Sequence, residues 1–135
     1  MEISDRMVGR ILATVMLVLA VIYIVPFAVY GTFSALTGLK PPAGVSPAQF
    51  LVSVLVSKVG TAVGFVVIFY LARSSLGRRW IIYAFVWWLM LAIGEIGQAI
   101  GPNYSRQEAI AGVISEMIYF PLAAWITHRF LGLSG

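Results

Sequence analysis

Four apolar stretches of bilayer-spanning length constrain the fold of this chain more than any other feature. They cover about residues 7–36, 47–72, 80–100 and 106–128, and charged residues, proline or glycine bound each of them. The hydrocarbon core of a bilayer is about 30 Å thick, so a helix needs roughly 20 apolar residues to cross it. The sequence therefore predicts an all-α protein, with residues 1–135 forming one integral membrane domain, a four-helix bundle in the lipid bilayer.

The composition excludes an ordinary soluble domain and several kinds of site. Only 10% of the residues are charged and 61% are hydrophobic, whereas soluble proteins have about 25% and about 45–50%. The chain has no cysteine, which excludes thiol catalysis and cysteine-based zinc sites, and its one histidine, His128, excludes a bis-histidine haem within one chain. We therefore expect no cofactor and no bound metal.

Short sequence signals predict where two of the helices begin. The segments 46–49 (Ser-Pro-Ala-Gln) and 105–108 (Ser-Arg-Gln-Glu) each place a capping serine three residues before a glutamine or glutamate. This spacing is typical of the capping box at a helix N-terminus. In the first segment, the proline after the serine strengthens the signal.

The distribution of basic residues predicts the orientation of the bundle. In the predicted topology, Lys40 and Arg106 lie on one side and six arginines on the other: Arg6, Arg10, Arg73, Arg78, Arg79 and Arg129. Because Lys and Arg are enriched in cytoplasmic loops, both termini are predicted to be cytoplasmic. We expect the membrane to be the cytoplasmic membrane of a bacterium or archaeon. Scattered single basic residues do not resemble a phosphate-tracking groove, so no nucleic-acid partner is expected.

Three charged residues interrupt the apolar spans. At 1.5 Å per residue, Lys58 and Glu116 lie roughly 16 Å and roughly 15 Å below the outer ends of the second and fourth spans. Glu95 lies about 9 Å from the outer end of the third span, and Gln98 is one turn closer to the surface on the same face. An ionisable residue inside the bilayer costs several kcal/mol, so each needs a partner or a function. We predict that these four residues form a polar site.

Two interpretations of this site remain open. In the first, Lys58 forms an ion pair with Glu116 or with Glu95 that fixes only helix packing. In the second, one lysine cannot neutralise two carboxylates, so one glutamate holds an exchangeable proton. Such a group on a path from the surface to the midplane suits a proton-coupled carrier or a proton relay.

Small residues on the helices predict close packing. Gly60 and Gly64 form a GxxxG match in the second span, and Gly94 and Gly97 lie beside Glu95 in the third. Such spacing brings transmembrane helices together, either within one chain or between copies.

Three functions fit these features. The first is a proton- or cation-coupled transporter or channel for a small solute, working as a homo-oligomer because four helices can hardly enclose a path alone. The second is a structural or accessory subunit of a larger membrane complex. The third is an intramembrane enzyme acting on a lipid or isoprenoid with paired glutamates as acid and base. No nucleophile, metal set or phosphate-binding motif supports the third, so we expect a non-enzymatic role.

Overall fold

The computed structural model describes residues 3–39, 44 and 46–132, and this part of the chain is helical without strands. The helices are α1 (Asp5–Thr37), α2 (Pro47–Leu71), the short α3 (Arg73–Leu76), α4 (Trp80–Ile100) and α5 (Arg106–Leu131). Four of them, α1, α2, α4 and α5, are long and apolar enough to cross a membrane. The all-α prediction is confirmed, and the span boundaries agree to within a few residues. Lys40, which enters the orientation argument, lies outside the described residues.

The two predicted capping sequences form helix N-termini. The Ser46 hydroxyl accepts a hydrogen bond from the Gln49 amide at 3.1 Å. At α5, the Ser105 hydroxyl accepts from the Glu108 amide at 3.0 Å, and the Glu108 carboxylate accepts from the Ser105 amide at 2.8 Å. The second segment is thus a complete capping box, which satisfies two amides that the helix leaves free.

Helix α5 is the central element of the bundle. Half of the residues in its most apolar segment are buried, against 22% in α1 and 17% each in α2 and α4. The buried face of α5 is rich in small residues, including Ala111, Gly112, Ser115, Ala123 and Ala124. Small side chains let helix backbones approach closely, and α1 and α4 pack along this helix while α2 packs mainly on α1.

The start of α1 and the end of α5 lie at one end of the bundle. The Arg10 guanidinium donates a hydrogen bond to the Phe130 carbonyl, which joins the start of α1 to the end of α5. The ring of Trp80, at the start of α4, stacks on His128 of α5 with centroids 6.1 Å apart. We call this the terminal end; the opposite loop end carries the connections from α1 to α2 and from α4 to α5. The six arginines of the orientation argument belong to the terminal end.

An aromatic core holds α2, α4 and α5 together in the half of the bundle nearer the terminal end. The Phe65 ring of α2 lies 4.7 Å from the Tyr83 ring and 5.4 Å from the Trp87 ring of α4, and 5.7 Å from the Phe120 ring of α5. The Tyr83 hydroxyl also donates to the Phe65 carbonyl. These rings pack together and fill the space between the three helices.

In its half nearer the loop end, α2 does not pack into the buried core. Residues 46–60 include no buried position, whereas Ala62, Phe65 and Val66 are buried. A hydrogen bond of 3.2 Å from the Tyr23 hydroxyl to the Leu51 carbonyl ties this half of α2 to α1. Lys58 therefore lies where α2 separates from the rest of the bundle.

Candidate functional site

The bundle brings Lys58, Glu95 and Glu116 together with three tyrosines. Lys58 comes from α2, Glu95 from α4 and Glu116 from α5, so charged residues from three of the long helices lie near one another. We call the whole set the polar cluster: Tyr30, Lys58, Glu95, Tyr104, Glu116 and Tyr119. All four long helices and the loop before α5 contribute to it.

The two glutamates are in direct contact. Glu116 is only 3% exposed, and its carboxyl group lies within hydrogen-bonding reach of the Glu95 carboxyl. An ionised carboxylate only accepts hydrogen bonds, so a hydrogen bond between two carboxyl groups requires a proton on one of them. The pair can therefore hold a single shared proton, as paired carboxyls in other protein sites do.

Gly112 makes this contact possible. It lies on α5 one turn before Glu116, and a Cβ atom built on it would overlap the Glu95 carboxyl group, with Oε2 only 2.8 Å away. The absent side chain leaves a notch on α5 into which Glu95 extends from α4. The carboxyl pair thus depends on a glycine at this position.

Lys58 bonds to a neutral oxygen. Its ammonium donates to the Tyr119 hydroxyl at 3.2 Å and lies 5.1 Å from the centre of that ring. Both carboxyl groups are near enough to act on the ammonium electrostatically, but in the described part of the chain neither forms an ion pair with it. The direct ion pair of the first interpretation is therefore not formed. The carboxyl pair is left without a bonded cation, which favours retention of its proton.

One oxygen of the pair has no partner. Glu116 Oε2 is buried and accepts no hydrogen bond from any described residue. Buried polar atoms without partners are uncommon, since each costs the desolvation of the group. This oxygen is therefore a position at which a proton, water or bound solute would be stabilised.

Two tyrosines connect the pair to the loop end. The Tyr104 hydroxyl donates to Glu95 Oε2, and Tyr30 lies within hydrogen-bonding reach of Tyr104 while donating to the Glu108 carbonyl at 3.2 Å. Tyr104 lies in the loop between α4 and α5. Burial, together with its hydrogen bond to Glu95, raises the pKa of Tyr104 above its ordinary value. The phenol therefore remains a proton donor to Glu95 throughout the physiological range.

The remaining predicted residues are not part of this arrangement. Gln98 is exposed on α4, and its side chain forms no hydrogen bond with another described residue. A Cβ built on any of the four predicted packing glycines meets no neighbouring atom within 4 Å: Gly60, Gly64, Gly94 and Gly97. Within the described chain these glycines are not close-packing positions. A contact between copies stays a prediction.

Sequence reasoning did not assign Tyr30, Tyr104, Tyr119 or Gly112 to the site. The helical repeat contained a signal for two of them, since Gly112 and Tyr119 lie four residues before and three residues after Glu116, on the same face. Tyrosine is common at membrane interfaces, so Tyr30 and Tyr104 had no distinguishing sequence signal.

Among the described residues, no three His, Asp or Glu side chains are grouped so as to hold a metal ion. A scan against protein-family models, a search of curated proteins and a search of solved structures each returned no significant match. Function must therefore be inferred from the chemistry of the polar cluster.

Replacing Gly112 with alanine should displace Glu95 from Glu116. The added methyl group would overlap the Glu95 carboxyl, and overpacking of this kind costs about 1–3 kcal/mol of stability. Thermal unfolding in mild detergent measures the loss. Gly97→Ala is the matched control, because open space surrounds its Cβ position. Equal stability of the two variants would contradict the placement of Glu95 in the notch.

The shared proton should be visible by infrared spectroscopy. At neutral pH the wild-type chain should show the carbonyl stretch of a protonated carboxyl group. Both Glu95→Gln and Glu116→Gln should lose this band, because one remaining carboxylate is balanced by Lys58. Glu108→Gln, which changes a carboxyl in the capping box, should keep it. A wild-type spectrum without the band would show that the pair holds no proton.

Proposed function

We propose that this chain is an integral membrane protein that acts, as a homo-oligomer, in proton-coupled transport of a small solute, with the Glu95–Glu116 pair as the proton site. The observation that carries the proposal is the direct contact between these two carboxyl groups among apolar helices. A buried carboxyl pair that is not bonded to the nearby lysine can gain and lose one proton without breaking an ion pair.

The charge balance favours a cationic solute or cation as the coupled species. With one proton on the pair, the single negative charge balances Lys58, and the polar cluster is neutral. Loss of that proton leaves a net charge of −1 in a medium of low dielectric constant, where an uncompensated charge is costly. A cation that occupies the site restores neutrality, so proton and cation compete for the same place.

The hydrogen-bonded tyrosines support entry from the loop end. Tyr104 and Tyr30 reach from the connecting loop to Glu95, whereas the aromatic core around Phe65 closes the other direction. With both termini in the cytoplasm, as the arginine distribution predicts, the loop end faces the outside. In this orientation the proton site is loaded from the outside of a bacterial or archaeal cytoplasmic membrane.

The exposed half of α2 supports an oligomer. Ser57 and Gly60 are exposed on the helix that carries Lys58, and no described element covers them. A second copy packed there would complete the wall beside the polar cluster. The same surface would also suit a different membrane protein, as the accessory-subunit hypothesis requires. The enzyme hypothesis gains no support, since among the described residues no group of His, Asp or Glu side chains that could hold a metal ion accompanies the glutamates.

Transport can be tested in proteoliposomes that contain a pH-sensitive dye. After a proton gradient is imposed, addition of small monovalent cations, both inorganic and organic ammonium ions, should cause coupled proton movement. Glu116→Gln should reduce this movement to the level of empty liposomes, because an amide holds no exchangeable proton. Glu108→Gln is the control and should transport as wild type does. Proton movement that is unchanged in Glu116→Gln would overturn the proposal.

The oligomer can be tested with single cysteines, since this sequence has none. Ser57→Cys should form a disulfide-linked dimer in native membranes under mild oxidation, because two copies of this face would lie together. Ile81→Cys, exposed on α4 away from this face, is the matched control and should remain monomeric. Crosslinking of Ser57→Cys exclusively to other proteins would instead support the accessory-subunit hypothesis.

A further inference from the structure

A basic cavity lies at the terminal end, remote from the polar cluster. It has a volume of about 730 Å³ and is formed by the turn from α2 to α4 together with the end of α5. We call it the turn cavity. The side chains that matter for its chemistry are Arg73, Ser74, Ser75, Arg78, Arg79 and His128. Its volume is within the ordinary range of small-ligand sites, which is about 300–1,000 Å³.

The positive charge of the turn cavity favours the binding of an anion. Among the described residues, three arginines and no acidic residue line its wall. A guanidinium group matches the oxygen atoms of phosphate with two parallel hydrogen bonds, and it remains charged at every physiological pH. Serine hydroxyls are also common phosphate ligands, and those of Ser74 and Ser75 donate no hydrogen bond to another described residue. The donors present are thus those of a phosphate site.

Two of the wall residues are held in place. The Arg73 guanidinium stacks on the Tyr70 ring at 4.1 Å and donates one hydrogen bond of 2.7 Å to the Tyr70 carbonyl, which leaves other N–H groups free to bind. His128 is stacked on Trp80, and its buried Nδ1 atom has no hydrogen-bond partner among the described residues. Fixed donors lose little conformational freedom on binding, which favours affinity.

The position of the turn cavity favours a lipid as the source of the phosphate. It opens where α2 ends and α4 begins, at the boundary of two helices long enough to cross a membrane. Lipid phosphates lie at this level of a bilayer, and basic pockets at helix ends bind anionic head groups. We propose that the turn cavity binds the phosphate group of an anionic phospholipid. This site stands independently of whether the polar cluster transports protons.

The one histidine of the chain offers a site-specific probe. The full chain, labelled with ¹⁵N and ¹³C at histidine, is placed in neutral detergent micelles at constant pH and titrated with phosphatidylglycerol. The imidazole signals of His128 should shift and saturate at one lipid per chain. Phosphatidylcholine, which has the same phosphate but no net charge, should give a much weaker shift. Equal responses to the two lipids would overturn the proposal.

Two double variants, each of which removes two positive charges, distinguish lipid binding in the turn cavity from general attraction to the basic terminal end. Arg78→Gln with Arg79→Gln should weaken phosphatidylglycerol binding about tenfold or more, as expected for lost charge-assisted hydrogen bonds. Arg6→Gln with Arg129→Gln removes two exposed arginines from the same end but outside the cavity wall, and it should bind as wild type does. An equal loss in both double variants would show diffuse attraction and contradict a site.

Titration with inorganic phosphate distinguishes the source of the ligand. If a lipid is the ligand, phosphate should shift the His128 signals only at concentrations far above those of phosphatidylglycerol, because it lacks the apolar chains that lie beside α2 and α4. Saturation by phosphate at equal or lower concentrations than the lipid would assign the cavity to a soluble phosphorylated ligand and overturn the lipid proposal.

Discussion

The contact between Glu95 and Glu116 is the interaction on which the polar cluster depends. It joins α4 to α5 at the point where Gly112 leaves room, and it brings two like-charged groups together in apolar surroundings. Ionisation of both of two adjacent carboxyl groups is energetically unfavourable in apolar surroundings. Under the proposed proton-coupled function, the contact would therefore link helix packing to protonation, because loss of the proton would leave two negative charges side by side.

The placement of Lys58 is consistent with a shared proton on the Glu95–Glu116 pair. A lysine bonded directly to Glu116 would fix that carboxylate in its ionised form and remove the reason for a shared proton. The Tyr119 hydroxyl and ring instead stabilise the ammonium through a hydrogen bond and a cation–π contact. The positive charge stays near the pair without neutralising either member by contact.

Much of the fold could be predicted from the sequence because apolar length and capping boxes are local signals. The rise of a helix also predicts that Lys58 and Glu116 lie at similar depths, which agrees with the hydrogen bond from Lys58 to Tyr119, one turn from Glu116. Depth does not give the rotation of a helix about its axis, so the partner of Lys58 could not be derived. The GxxxG match is limited for a related reason: within the described chain Gly60 and Gly64 meet no neighbouring atom, whereas the isolated Gly112 lies against the Glu95 carboxyl, and a contact of Gly60 and Gly64 between copies stays a prediction. Glycine spacing indicates where another helix could approach closely. A close contact forms only where a neighbouring side chain fills that space, as the Glu95 carboxyl does at Gly112.

The aromatic core separates the two candidate sites along α5. Glu116 and His128 are twelve residues apart on this helix, or about 18 Å at 1.5 Å per residue. Between them, the rings of Phe65, Trp87 and Phe120 pack into an apolar layer that contains few buried polar groups. A proton that reaches Glu116 from the loop end therefore meets an apolar barrier before the arginines of the terminal end. Under the proposed transport function this barrier would have to open, which would require α2 to separate from α4 and α5 at the aromatic core. The loop-end half of α2 already lies away from that core, so the smallest motion that would open such a path would extend this separation toward the terminal end.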